Sequence, residues 1–589
     1  MMLRLLFGCC VVICFTGNAA APQSEGKTTV NKAESEQPLY VYEFPNPGGA
    51  QSYDEAMAVA CLQGIINREG PQLYVLSSAT ARPRYWLDIL SQDRQWLANR
   101  NQVAVSGLDA LVKLAGDRLK GAVIWDPEVP ATVNVATTIA GVRDGVVLSP
   151  ELAAQCLPKW NIPVLDDLTG RFDGAQSRSK KNDAYRWVIG EYLDKGLCSS
   201  HFLCLFEDAC STRAAGDVGY VVTRDWAVMN RAFVFDLSPW GDETPKDDPG
   251  QPLGTDLETY RMILSAMLDQ SAGTCMTEMT GFFAFWKYSN VAGYSSKHEP
   301  VPTEWETVHL ISPYNCYQNT ISSHCYNQSL HSQAPFQGLK QRRPQPMTTV
   351  EDKAYLCFLM ADYDSATPLY DFMPRHWEDP NRGKIPLAWG INPNLVETYP
   401  DVIAHFYATA TPNDHFTSDA SAAGYFNPNR VQPQYLRLFI EHNQRFFGAT
   451  DMSIAPMVLD WDAPTPAVKD AFTKFAPDGF ATIVMDMHGT GGALPKPHVW
   501  KGMPVLELIN NTCNFSSTKQ TADAIYGAIV ERGNAKPGFY FFRIVWVSPS
   551  SVIDSLALLR EEHPEVVFEV VDPYNFFALF KKHAQHVAP

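Results

Sequence analysis

Acidic residues recur at the ends of apolar runs in the later part of the chain: the pairs Asp362-Tyr-Asp364 and Asp460-Trp-Asp462, and Asp486-Met-His488, where a histidine joins one aspartate. Asn392, Asp414, Asp419 and Asp572 flank or end further runs. Two chemistries use such a set. Cleaving a glycosidic bond needs one carboxylic acid to protonate the leaving oxygen and a second carboxylate as nucleophile, or as base for water. A hard cation or zinc gathers the same oxygens, often with a histidine. Aspartate is also a favoured helix N-cap, so about half of these positions read as caps. An Asp-x-Asp pair exceeds that need, since one cap serves one turn. Asp362 and Asp364 are therefore the leading catalytic pair, followed by Asp460, Asp486 and His488. Asn392, Asp414 and Asp462 are candidates for substrate contact. So are Trp389 and Trp461, because flat indole faces stack on sugar rings, although core packing explains a tryptophan more often. Trp546 has a similar position. No residue set is assigned to a metal; a divalent cation at the carboxylates is the one cofactor the pattern accommodates. HExxH, GxSxG, GxGxxG and GxxxxGK[ST] motifs do not occur.

The elements that would position these residues form a regular alternation. Strands are expected at 354–360, 386–391, 416–419, 451–459, 481–485, 503–508, 539–546 and 566–571. Helices fall at 395–410, 434–447, 466–475, 521–532, 550–562 and 574–583. Eight strands alternating with helices suggest a (β/α) TIM-like barrel over 350–589, with its active site at the carboxyl ends of the strands. A seven-stranded variant and an open doubly wound sheet remain alternatives. Upstream, residues 38–240 have an α/β rhythm suited to two or three small parallel-sheet units. Residues 241–349 are rich in aromatic and polar side chains and read as a connector packed on the barrel. Within it Glu304-Trp-Glu306, with Lys287 and His298, could lean over the barrel mouth and touch substrate; a solvated loop or interdomain ion pair explains it equally well.

The whole chain narrows the partners. A net charge of −17 over 589 residues argues against nucleic acid and anionic membranes, which demand basic surfaces. Arg4, the apolar run 5–15 and the small residues of Gly17-Asn-Ala-Ala-Ala21 have the order of a secretory signal. The run is too short to span a bilayer. Residues 1–21 are thus expected to be removed on export, leaving a flexible leader over 22–37. Export permits disulfides, and Cys316 with Cys325 is the pair to test.

The stretch Ser421-Ala-Ala-Gly-Tyr-Phe-Asn-Pro428 resembles the motif that names the GxGYxYP family. Gly424, Tyr425 and Pro428 match it; Ala422 stands where the first glycine belongs and Asn427 where the second tyrosine does. Leu62-Gln-Gly-Ile-Ile-Asn-Arg68, Asp236-Leu-Ser-Pro-Trp-Gly-Asp-Glu243, Gly281-Phe-Phe-Ala-Phe-Trp-Lys-Tyr288 and Trp389-Gly-Ile-Asn-Pro393 also resemble the family. The resemblance implies a sugar-processing protein with an N-terminal α/β region, a barrel-like C-terminal domain and a glycoside hydrolase label. It adds Tyr425 to the substrate-contact candidates and transfers no catalytic residue. At the first barrel strand the family is expected to carry Asp-Gly-Asp-Asn. Here Asp362-Tyr-Asp364-Ser keeps both carboxylates and puts Tyr363 where a glycine would admit a ligand.

Overall fold

A computed structural model describes residues 37–271, 274–288, 298, 304–485, 496–510 and 517–587. The expected signal segment and nearly all of the leader lie outside the described residues, as do Asp486, His488 and Cys513. Among the described residues no helix is long and apolar enough to cross a membrane.

Three small parallel sheets make up the N-terminal part. Leu39–Phe44 lies between Leu73–Ser77 and Gln102–Val105, and Gly121–Ile124 lies between Gly145–Leu148 and Val164–Asp167. The third sheet runs Cys316–Asn319, Thr277–Thr280, Phe202–Leu205, Phe233–Phe235. Half of that sheet comes from the stretch expected to be a connector. Its strands are four residues each and partly polar (Thr-Glu-Met-Thr, Cys-Tyr-Gln-Asn), so no apolar run announces them.

In the C-terminal part, Ala354–Tyr363 has a near-continuous apolar sequence, as a parallel strand covered on both faces requires. One sheet runs Asp414–Thr417, Leu387–Ile391, Ala354–Tyr363, Gly538–Val545, with Phe568–Val570 also on Ala354–Tyr363. A second runs Ile454–Asp460, Gly479–Val484, Met503–Glu507, His498–Trp500, the last pair antiparallel. Single parallel bridges join the two sheets at both seams, Ala420 to Met457 and Ile509 to Phe542. The hydrogen bonds thus describe two parallel sheets stitched edge to edge rather than the uniform eight-stranded barrel expected. Phe568–Val570 pairs with a strand that already has two neighbours, and so adds no stave between them.

The family-like motif joins the two parts. Tyr425 and Gln318 exchange backbone hydrogen bonds (2.7 and 3.0 Å), which seats the motif on the edge strand Cys316–Asn319. Gly424 has φ 103°, and a Cβ there would lie 2.2 Å from the Tyr317 ring, so the close approach needs glycine. Tyr425 is fully buried and its hydroxyl faces the Met485 sulfur at 3.7 Å. It is thus a packed core residue whose backbone ties the two parts together.

Candidate active site

The site grows from the end of Ala354–Tyr363. Its register with Leu387–Ile391 shifts between Met360 and Tyr363, and Asp362 sits at φ 65°. Left-handed backbone is uncommon outside glycine and is tolerated best by Asn and Asp. The turn brings Asp362 onto Arg543 of Gly538–Val545, whose Nη2 donates to both carboxylate oxygens at 2.6 and 2.7 Å. Arg543 Nη1 donates to Asn510 Oδ1 at 2.9 Å, and Trp546 Nε1 donates to the Asp362 carbonyl at 3.0 Å. Trp546 is 40% exposed, the one tryptophan among the large exposed apolar residues, and meets Phe372 edge-on at 4.9 Å.

A third carboxyl holds this turn in place. Asp419 Oδ2 accepts the backbone N–H of Asp362 at 2.8 Å and of Tyr363 at 3.3 Å, while its buried Oδ1 has no hydrogen-bond partner. Asn392 in turn fixes Asp419, accepting its N–H at 3.1 Å and donating to the Ala420 carbonyl at 2.5 Å. Gly390 leaves the space: a Cβ there would lie 2.4 Å from Asp419 Oδ2.

Asp364 and Glu304 complete the cluster. Burial, then the neighbouring Asp362 charge, raises the Asp364 carboxyl well above the ordinary carboxylate range. Burial, then the charges of Asp364 and Asp362, lifts Glu304 to about 8. Glu304 is only half-buried as a residue, but its carboxyl is enclosed. Burial and the Asp364 and Asp362 charges raise Asp419 strongly as well. At neutral pH the cluster therefore holds protons on some carboxyls beside a carboxylate clamped by a guanidinium, the division of roles that acid–base chemistry needs.

Other expected site residues lie elsewhere. Tyr363 turns away from the cluster into the core, where its hydroxyl meets His376 Nδ1 at 2.8 Å, so its bulk does not block the approach. Trp389 is fully buried and donates to Asp414 Oδ1 at 2.9 Å. Asp414 also pairs with Arg382 and begins its strand, at the end opposite the carboxylates. Asp460, raised by burial to about 6, accepts the N–H groups of Asn429 (2.8 Å) and Trp461 (2.7 Å) and holds a loop. Asp462 is exposed, and its carbonyl receives Asn429 Nδ2 at 3.2 Å.

Trp461 stacks on His309 at 3.8 Å and, with Glu306, Arg430 and Tyr435, lines a neighbouring groove of about 650 Å³. Glu306 lies 3.5 Å from His298. Two residues apart at a helix start, Glu304 and Glu306 face different ways, and only Glu304 joins the cluster. Lys287, expected over the mouth, is instead buried in the N-terminal part against Asp208 (2.7 Å), Asp236 (2.7 Å) and Asp247 (3.0 Å). Cys316 and Cys325 are free buried thiols rather than a disulfide. Among the described residues, histidine, cysteine and carboxylate groups close enough to share one ion occur at Asp208–Cys210–Asp247 and Asp242–Glu243–His298, both away from Asp362.

Arg543 was not singled out from sequence, and Asp419 was noted at the end of an apolar run without being chosen for the site. A charged residue inside Phe-Phe-Arg-Ile-Val is the signal that marks Arg543, since a buried strand tolerates arginine only with a partner. Nothing distinguishes Asp419 from its capping neighbours until the strands are brought side by side.

Models of one family match the chain in three places. The first N-terminal GxGYxYP domain covers residues 48–115, the second covers 119–196, and the "GxGYxYP putative glycoside hydrolase C-terminal domain" covers 352–581. The chain belongs to the GxGYxYP family. The carboxylate cluster lies chiefly in this member's C-terminal family domain, with Glu304 reaching in from before it. Among solved structures the chain is similar to a "putative hydrolase from Bacteroides thetaiotaomicron VPI-5482". Identity is 17% and the TM-score 0.69, over 94% of this chain and 96% of that one, which shows a shared fold. It also aligns with a "putative polysaccharide deacetylase from Mycobacterium smegmatis". There identity is 11% and the TM-score 0.29, over 43% of this chain and 97% of that one, too loose a likeness to argue from. No curated protein matches it.

Proposed function

We propose that this GxGYxYP protein is a hydrolase of glycosidic bonds and that Asp362, Asp364 and Glu304 form its reactive centre. The observation that carries the proposal is the convergence at one strand end of a guanidinium-clamped carboxylate with carboxyls that burial keeps protonated. In this scheme Asp364 donates its proton to the leaving oxygen. Asp362, oriented by Arg543, attacks the anomeric carbon or takes the proton of an attacking water. Glu304 and Asp419 keep the surroundings from accumulating charge, and Trp546 offers its exposed face to a sugar ring. The groove at Trp461 and Tyr435 would carry neighbouring units of a longer glycan. We also infer that seven parallel strands act as an irregular barrel, so that their carboxyl ends share one cup, and that the chain is exported with residues 1–21 removed.

Reducing-sugar release from a polysaccharide panel tests the chemistry. Asp362→Asn and Asp364→Asn should each lose about 10²–10⁴-fold in kcat with melting temperature little changed. Full activity in both variants would remove the assignment, and glycan binding without turnover in the wild type would make the protein a binding module. The product anomer, read by proton NMR, distinguishes attack by Asp362 from attack by water. A metal-dependent deacetylase would need Asp362 to give up Arg543; activity should accordingly survive chelation.

A further inference from the structure

The third N-terminal sheet has a cavity of its own at the carboxyl ends of three adjacent parallel strands, Cys316–Asn319, Thr277–Thr280 and Phe202–Leu205. Parallel α/β sheets place ligands there because the chain leaves the strands in loops that can open a crevice. The cavity holds about 190 Å³ and is walled largely by aromatic side chains, among them Phe206, Tyr220, Phe283 and Trp286. Tyr220 and Trp286 meet edge to face at 6.0 Å. A few hydroxyls, Ser322 and Ser323 among them, lie at its edge.

Glu207 is the only charged side chain in this lining. It is 4% exposed, and its buried Oε2 has no hydrogen-bond partner. Arg224 donates to the Glu207 main-chain carbonyl at 2.8 Å, not to the carboxyl. A buried carboxyl oxygen without a partner costs stability, and a ligand in the adjoining cavity can supply what is missing. The charges around it indicate the sign of that ligand. Burial, then the charges of Asp236, Asp208 and Asp217, holds the Glu207 carboxyl well above the ordinary carboxylate range, with Lys287 acting in the other direction, so an arriving cation would displace the carboxyl proton to solvent and take its place.

We propose that this cavity is a second ligand site, separate from the carboxylate cluster, which takes a compact organic cation: an ammonium group against Glu207 with its apolar body among the aromatic rings. Aromatic faces attract cations as well as apolar surface, and the Glu207 carboxyl, once it has released its proton to solvent, fixes the charged end. The size suits a ligand of one ring, since an apolar cavity of roughly 150 Å³ accepts benzene.

Calorimetric titration of the full chain with benzylammonium and with neutral benzyl alcohol, its near-isostere, tests the site. Benzylammonium should bind at least about tenfold more tightly, a difference within the range of a desolvated cation among aromatic rings. Glu207→Gln should abolish that preference. Ser323→Phe fills the cavity from its half-buried edge without altering Glu207 and should abolish binding of both compounds, so the test does not depend on the Gln variant folding. Equal affinities in the wild type, no binding of benzylammonium, or a preference that survives in either folded variant would overturn the proposal. A wild type that takes benzyl alcohol more tightly would also do so, since it would make the cavity an apolar pocket.

Discussion

The proposed chemistry depends on unequal treatment of like groups. Asp362 and Asp364 are two residues apart, yet Arg543 grips one at 2.6–2.7 Å while burial raises the other. Glu304 gives the cleanest pH test. Its folded value, about 8, lies above the ordinary 4.5, so the folded chain keeps a proton there that the unfolded chain releases. Stability from this group is complete below pH 4.5 and is lost as pH rises toward 8; Asp364 and Asp419 shift in the same direction. Glu304→Gln should therefore melt with the wild type near pH 4.5 and about 2–4 °C above it at pH 8.5, read by calorimetry. Trp546→Ala should act on binding, raising KM about tenfold with a smaller fall in kcat, because its exposed face touches only the outer edge of the cluster.

At the scale of elements, the site depends on how one strand ends. Asp419 holds the turn at Asp362 through two backbone N–H groups, and the fit is close because Gly390 has no side chain. Gly390→Ala should push the Asp419 carboxylate away, costing about 1–3 kcal/mol of stability in denaturant titration. It should also lower kcat, although Gly390 is not proposed to touch substrate. An unchanged rate would mean that the Asp362 turn holds without Asp419. The motif loop works in the same manner: Gly424 lets Tyr317 approach, and Tyr425 closes the contact by pairing with Gln318.

At the scale of the molecule, the C-terminal domain leans on the N-terminal part. Trp86 is fully buried and donates to the Tyr370 carbonyl at 2.9 Å, Arg82 pairs with Asp371 at 2.8 Å, and Asn319 Oδ1 accepts the Ala366 N–H at 2.9 Å. Glu304 itself comes from before the family domain. Residues 350–589 expressed alone should thus be poorly soluble or melt at least about 5 °C lower than the whole chain, and should lack activity. The readouts are yield, thermal melting and sugar release.

Local sequence was enough for the parallel strands of the C-terminal part, because strands covered on both faces must be apolar along their length, as Ala354–Tyr363 is. It was also enough for the family, whose scattered motifs are short and local, and it marked Asp362 and Asp364, which the fold places at one strand end. It could not distinguish Asp419 from Asp414, both aspartates near one strand. One holds the Asp362 turn and the other is paired with Arg382 at the far end. Nor could it distinguish Trp546, partly exposed beside Asp362, from Trp389, which is fully buried. The third sheet escaped notice because its strands are short and polar, and their burial comes from neighbours far along the chain. Residue type and local period state what a segment can do. Which carboxyl keeps its proton, and which lysine is buried among aspartates, depends on charges and surfaces that only the folded chain brings within a few ångströms.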